Sequence, residues 1–244
     1  MLAGDYASGR MSVPETVLNF IFHDGIDTSE RILDLGCGTG ISTRQVAPKA
    51  AAVVGCDPDS AMLQQAKSSG GKNITYMAGG ATCIPGKDAS FDGVTIFSAF
   101  HWFANSTAIA EIFRVLRPGG WLAIVNRQNS LAFEQRLRAV VGKYALELPP
   151  SAKLGYDPEL ILLEGGALDL RMASFSLEEV SSTSGTLAYI RSRSLWNYVP
   201  LESRGLAEDH LRQWLGSILN ARGQVVRKVE VTCITCIRPE ALKE

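Results

Sequence analysis

Apolar residues recur along the chain in two rhythms. Short continuous runs at residues 32–35, 51–56, 73–78, 91–97 and 121–125 each end at Gly, Asp, Ser or Asn, and the stretches between them carry apolar side chains at helical spacing. Run length and flanks assign the first kind to buried strands and the second to amphipathic helices. Residues 104–116 are a clear helix: Asn105 or Ser106 caps it, and Ile109, Ile112, Phe113 and Leu116 share one face. Regular alternation of strand and helix predicts an α/β protein built on a parallel sheet. The pattern changes after residue 126. Helical spacing continues at 131–148, 187–198 and 206–221, one strand signal stands near 170–175, and residues 224–237 alternate polar with apolar, as a final antiparallel strand would. Upstream of the first strand, Ser12-Val13-Pro14-Glu15 fits a capping box with proline in the first turn, and Val17, Leu18 and Ile21 follow at helical spacing.

One junction carries more chemistry than the rest. In Arg31-Ile32-Leu33-Asp34-Leu35-Gly36-Cys37-Gly38-Thr39-Gly40 a strand breaks into three alternating glycines, and a short helical stretch follows before Pro48 stops it. Glycines there permit positive φ and let a ligand approach the main chain. Such a turn lies at the carboxyl end of a strand, where open parallel sheets bind ligands. A dinucleotide fingerprint would need glycine at 41 or 43, but Ile41 and Thr43 stand there. Asp34, two residues before Gly36, would repel a pyrophosphate and attract an ammonium or a sulfonium. S-adenosylmethionine carries both and has no phosphate. A second carboxylate, Asp57, ends the second strand 17 residues after Gly40 and is followed by Pro58. It is placed to accept two ribose hydroxyls, although an Asx turn or a helix cap would use the same residue type.

These segments resemble the class I S-adenosylmethionine-dependent methyltransferases, most closely the small-molecule branch that includes trans-aconitate and ubiquinone/menaquinone-pathway methyltransferases. The resemblance rests on Leu33 to Gly40, on Phe91-Asp92-Gly93-Val94, and on Arg114-Val115-Leu116-Arg117-Pro118-Gly119-Gly120. It implies a Rossmann-like, seven-stranded, mostly parallel sheet with helices on both faces, the final strand antiparallel, and a helical cap. It also implies one methyltransferase domain over residues 1–244, with an N-terminal arm and helix in 1–30 and an acceptor-binding cap within 127–223. The cofactor contacts it implies are Asp34, Gly36, Gly38, Gly40, Asp57 and Pro58, then Met62 and Ala81 near the adenine, and Ser98 and Ala99 beside the methionine half. Tyr6 and Arg10 are implied to close over the cofactor. His101 and Trp102 are implied to face the transfer chamber, with His101 suited to take a proton from an acceptor hydroxyl or amine. Gly80 departs from the family pattern, which has an aspartate there to accept from the adenine amino group; weaker adenine selectivity, or a substitute acceptor such as Thr82, is expected. Within the cap, Arg127, Arg191 and Arg193 are candidates to hold a carboxylate, and Trp196 and Tyr198 to wall an apolar acceptor, although arginines on a solvated helix and aromatics packed in a core are the commoner cases.

Composition narrows the partners. Lys+Arg 24 against Asp+Glu 25 and a pI near 6.3 leave no basic field for nucleic acid or an anionic membrane. Leu148-Pro149-Pro150-Ser151 is not the Asn/Asp-Pro-Pro-aromatic signature of amino-directed nucleic-acid methyltransferases. No apolar run is long enough to span a bilayer, so a cytoplasmic protein is expected. The three histidines, His23, His101 and His210, lack metal-ligand spacing, and no metal is expected. Cys37, Cys56, Cys83, Cys233 and Cys236 make no disulfide framework; Cys233 and Cys236 fall on opposite faces of the last strand and are expected to pack. The expected function is methyl transfer from S-adenosylmethionine to a small-molecule acceptor by in-line displacement. The alternatives are a protein that binds the cofactor without transfer, or a nicotinamide-dependent oxidoreductase.

Overall fold

The computed structural model describes residues 12–22, 29–148 and 156–240; Tyr6, Arg10 and His23 lie outside the described residues. Seven strands, β1 (Arg31–Leu35), β2 (Ala52–Asp57), β3 (Ile74–Ala78), β4 (Phe91–Phe97), β5 (Leu116–Asn129), β6 (Leu168–Ser181) and β7 (Val225–Ile237), form one sheet in the order β3-β2-β1-β4-β5-β7-β6. β1 pairs parallel with β2 and β4, β2 with β3, and β4 with β5, while the final strands run antiparallel. The order reverses at β1, so its carboxyl end opens into the crevice where α/β sheets hold ligands.

Eight α-helices accompany the strands among the described residues: α1 (Glu15–Ile21), α2 (Ile41–Val46), α3 (Ser60–Ser69), α4 (Ser106–Val115), α5 (Leu131–Val141), α6 (Pro158–Glu164), α7 (Thr183–Arg191) and α8 (Arg204–Gly216). The chain divides by contacts into two compact units, described separately. One holds residues 12–126, 156–174 and 232–240, and the other 127–148 and 175–231. In the first, Leu33, Leu35, Val94, Ile96, Leu122 and Ile124 of the strands bury against Ile109, Ile112 and Val115 of α4. The apolar runs are continuous because both faces of these strands are covered. The second packs Phe133, Leu137, Leu187, Ile190, Trp196, Leu211 and Trp214 into its own core. Trp196 is thus a core residue, whereas Tyr198 is exposed.

Several expectations need correction. No capping box forms at α1: Pro14 occupies the cap position without a side-chain bond. Gln45 of α2 instead clasps Val13, accepting from its N–H at 2.8 Å and donating to its carbonyl at 2.8 Å. The Arg117-Pro118-Gly119-Gly120 stretch, ahead of the apolar run at 121–125, lies inside β5. Leu116 already pairs with Phe91 and Trp121 with Gly93, so these residues bulge out of β5. Gly119 takes φ 71° there, and the bulge binds the end of β7 through Gly119 N–H to the Arg238 carbonyl and Arg238 N–H to the Gly120 carbonyl. The expected long helix at 131–148 stops at Val141, and α6 falls in a stretch that carried no helical pattern. The sixth strand is longer than its signal, 14 residues, since polar Ser, Arg and Glu break its apolar run. Cys233 and Cys236 are buried free thiols, pushed up to about 12 by burial, in keeping with packing.

Candidate active site

The glycine turn is built by exclusion. Gly36 has φ 73°, and a Cβ there would lie 2.5 Å from Ala99 Cβ. Gly40 also has φ 73°, and its Cβ would meet the Tyr76 hydroxyl at 2.3 Å. Tyr76 of β3 lies against Gly55 of β2 as well, where a Cβ would sit 2.6 Å from its ring. A side chain at any of these glycines would displace a neighbour, and at Gly36 and Gly40 an L-residue would also be strained. Gly38 φ is 53°, and its N–H donates to Asp57 Oδ2 at 2.9 Å. Arg44 donates to the Thr39 carbonyl at 3.0 Å and fixes the turn from α2.

Asp57 forms the Asx turn and also braces the glycine turn. Its Oδ1 accepts from the Asp59 N–H at 2.9 Å in an Asx turn, and Oδ2 ties the glycine turn to the end of β2. Roughly two of the four lone-pair directions of an ionised carboxylate are thereby used. The side chain is half-buried. Capping of α3 falls to Asp59, which accepts from Ala61 and Met62 N–H. Pro58 is exposed, and Met62 is buried.

Asp34 is anchored inside the fold. It is fully buried, and its carboxylate accepts from Ser42 Oγ at 2.8 Å, Thr43 Oγ1 at 2.6 Å and Thr95 Oγ1 at 3.1 Å. Burial raises its pKa to about 6 against the pull of those three hydroxyls. Its reach toward a cation is electrostatic, and its direct task is to bind α2 and β4 to β1.

The loop after β3 carries Gly80, Ala81 and Thr82. Ala81 is buried, Thr82 is exposed, and a Cβ on Gly80 would meet nothing within 4 Å. Arg114 of α4 holds the loop by donating to the carbonyls of Ile84 and Gly86, to Asp88 and to Glu111, while Glu111 accepts from the Ile84 N–H.

Past β4 the backbone enters the left-handed region at Ser98, φ 54°, whose N–H bonds the Val125 carbonyl of β5 at 2.7 Å. Strain of this kind gathers at ligand sites. Ala99 then presses on Gly36, and a single tight turn, Phe100–Trp102, presents His101. The imidazole is half-buried between two rings: Trp102 tilted with centroids 4.9 Å apart, and Tyr156 edge-on at 6.2 Å. Trp102 is 62% exposed and forms the outer side. Tyr156 and Asn126 were not anticipated. Tyr156 Oη donates to Asn126 Oδ1 at 3.3 Å, and burial pushes the phenol up to about 12. Asn126 carried a weak signal, a polar residue directly ending the β5 apolar run; Tyr156 stands in an unpatterned stretch and had none.

The expected carboxylate-binding arginines are engaged within their own unit. Arg127 pairs with Glu179, Arg191 with Glu208 at 3.1 Å, and Arg193 with Glu134. Arg227, unnoticed in the sequence, is the centre of this network. It donates to Asn129 and Glu179 at 2.8 and 2.6 Å and lies over the Tyr189 ring at 3.9 Å.

The donor set fits the expected cofactor. Glycines 36 and 40 let the turn close tightly against Ala99 and Tyr76 at the carboxyl end of β1, Asp57 has acceptor capacity beyond its two bonds, and Asp34 and Asp57 place two carboxylates at the turn. A methyltransferase domain model matches residues 33–124, the segment holding the glycine turn, Asp57, Ser98 and His101. Over 95% of the chain and 91% of its partner, the sequence is 32% identical to an uncharacterized methyltransferase, C25B8.09, of Schizosaccharomyces pombe. A second fission-yeast protein, the methyltransferase-like C25B8.10, is 34% identical over 59% of this chain, a match that spans only 58% of that relative's length. The fold is shared with phosphoethanolamine N-methyltransferase 2 of Haemonchus contortus, solved with phosphomonomethylethanolamine and S-adenosylhomocysteine. That likeness has a TM-score of 0.54 at 20% identity, covering 93% of this chain and 52% of that one. The chain belongs to the class I S-adenosylmethionine-dependent methyltransferase family.

Proposed function

We propose that the protein transfers the methyl group of S-adenosylmethionine to a small-molecule acceptor. The observation that carries this reading is the convergence of Asp57, the bare glycine turn and the strained Ser98 at the carboxyl ends of three adjacent strands, with His101 four residues beyond β4. When bound, the cofactor supplies a methyl on a sulfonium. Gly36, Gly38 and Gly40 give it main-chain contact, Asp57 takes the ribose hydroxyls, and Ser98 and Ala99 border the methionine half. In-line transfer neutralises charge, so alignment and exclusion of water supply most of the rate gain. His101, held between Trp102 and Tyr156, accepts the proton that the acceptor loses. The aromatic lining supports a small acceptor, as does the ligand of the Haemonchus enzyme. The near-neutral charge supports an acceptor other than nucleic acid, and among the described residues no helix is long and apolar enough to cross a membrane.

Incubation with methyl-labelled S-adenosylmethionine and a panel of small phenols, carboxylates and amines tests the reading. Label in one acceptor with matching S-adenosylhomocysteine supports it. Cofactor bound but never consumed across the panel, with His101→Ala indistinguishable from the parent, would favour a binding protein instead.

A further inference from the structure

Asn126 immediately follows Val125, whose carbonyl accepts from the Ser98 N–H, so it stands at the carboxyl end of β5 beside the strained exit of β4. Its side chain is only 7% exposed. Tyr156 Oη fixes the amide oxygen, and Nδ2 has no hydrogen-bond partner among the described residues. With Oδ1 taken by Tyr156, Nδ2 stays accessible and free to donate to a bound molecule. Tyr156 joins this amide to the candidate base. Its hydroxyl orients Asn126, while its ring lies edge-on to both His101 and Phe100, with centroids 6.2 and 6.1 Å apart. Burial holds the phenol protonated through the neutral range, so it stays a donor and the amide keeps its NH2 group turned away from it.

We infer that Asn126 Nδ2 is the donor that receives an oxygen of the acceptor, with Tyr156 as the residue that orients it, and that the acceptor is a planar molecule bearing a carbonyl or carboxylate oxygen. The rings of His101, Trp102 and Tyr156 supply flat apolar walls, and the amide supplies one directional polar contact, the division of labour usual in small-molecule sites. An acceptor presenting only an ammonium would leave this N–H unmet and bring a second donor against it. The inference rests on the proposed function, because it takes the His101 side of the crevice as the acceptor side.

The test uses full-length protein saturated with S-adenosylhomocysteine, whose own binding heat is recorded first. Benzoate and benzylamine, equal in ring and opposite in polar group, are then titrated into the parent, Asn126→Leu and Tyr156→Phe proteins, with the Asn126 side-chain amide followed by 15N NMR. The expected result is benzoate binding at least tenfold tighter than benzylamine, a shifted Asn126 NH2 pair, and loss of that preference in Asn126→Leu. Tyr156→Phe should weaken benzoate severalfold and leave S-adenosylhomocysteine affinity unchanged. Equal binding of the two probes, or benzoate binding unaltered in Asn126→Leu, overturns the inference while the cofactor reading stands. Absence of S-adenosylhomocysteine heat overturns the cofactor reading itself.

Discussion

Two carboxylates at the glycine turn look alike in the sequence and do different work. Asp57 is half-buried and accepts from the Gly38 and Asp59 N–H groups, whereas Asp34 spends its acceptors on three hydroxyls inside the fold. This difference has a pH signature. With its native pKa raised from 3.8 to about 6, Asp34 binds a proton more readily folded than unfolded. Its contribution to stability is therefore full below about pH 4 and is lost as pH rises to 6. Asp34→Asn should gain on the parent by on the order of 3 kcal/mol across that window and run parallel to it above. Urea midpoints at half-unit pH intervals measure this; curves parallel throughout would contradict it. The glycines divide in the same way. Gly36→Ala combines positive φ with a 2.5 Å contact to Ala99 and should cost about 2 kcal/mol and abolish cofactor binding. Gly80→Asp meets nothing within 4 Å, so it should leave the melting temperature unchanged and tighten S-adenosylhomocysteine by supplying the missing acceptor. Calorimetry with both variants decides the pair.

At the scale of elements, the strands were legible because burial on both faces makes their apolar runs continuous, and β4 matches its signal end to end. Elements that depend on long-range partners were not. β5 begins five residues early because the end of β7 bonds its bulge, a pairing more than a hundred residues away along the chain. α1 lost its capping box to Gln45, and the cap arginines found carboxylates that spacing alone cannot reveal. The site divides along the same line. The glycine turn, Asp57, Ser98 and His101 were readable from local motifs, whereas Asn126 and Tyr156 are joined by one bond across 30 residues. Arg114 shows how an element far from chemistry still sets the site. Its bonds to the Ile84 and Gly86 carbonyls hold the loop that carries Ala81. Arg114→Met should destabilise by about 1–3 kcal/mol and speed hydrogen exchange in residues 80–88 ahead of the rest of the sheet. Exchange that stays uniform would show the loop is held by other contacts.

For the whole molecule, the strands that open on the crevice and the buried polar network belong to separately packed units. The network is built to hold shape: Arg227, Glu179, Asn129, Glu134 and Arg193 are bonded to one another inside residues 127–148 and 175–231. Arg227→Met removes one member and leaves Glu179 buried with less compensation, a change expected to cost about 3–5 kcal/mol in urea unfolding. Asp57→Ala, by contrast, should leave the fold largely intact, since its bonds to Gly38 and Asp59 lie at the crevice edge. The most direct test of the account is calorimetric titration of the parent and Asp57→Ala proteins with S-adenosylmethionine, S-adenosylhomocysteine and NAD. Both sulfur compounds should give heat with the parent and NAD none, and both heats should be lost in the variant. Binding of NAD, or equal binding of the sulfur compounds by parent and variant, would contradict the cofactor reading.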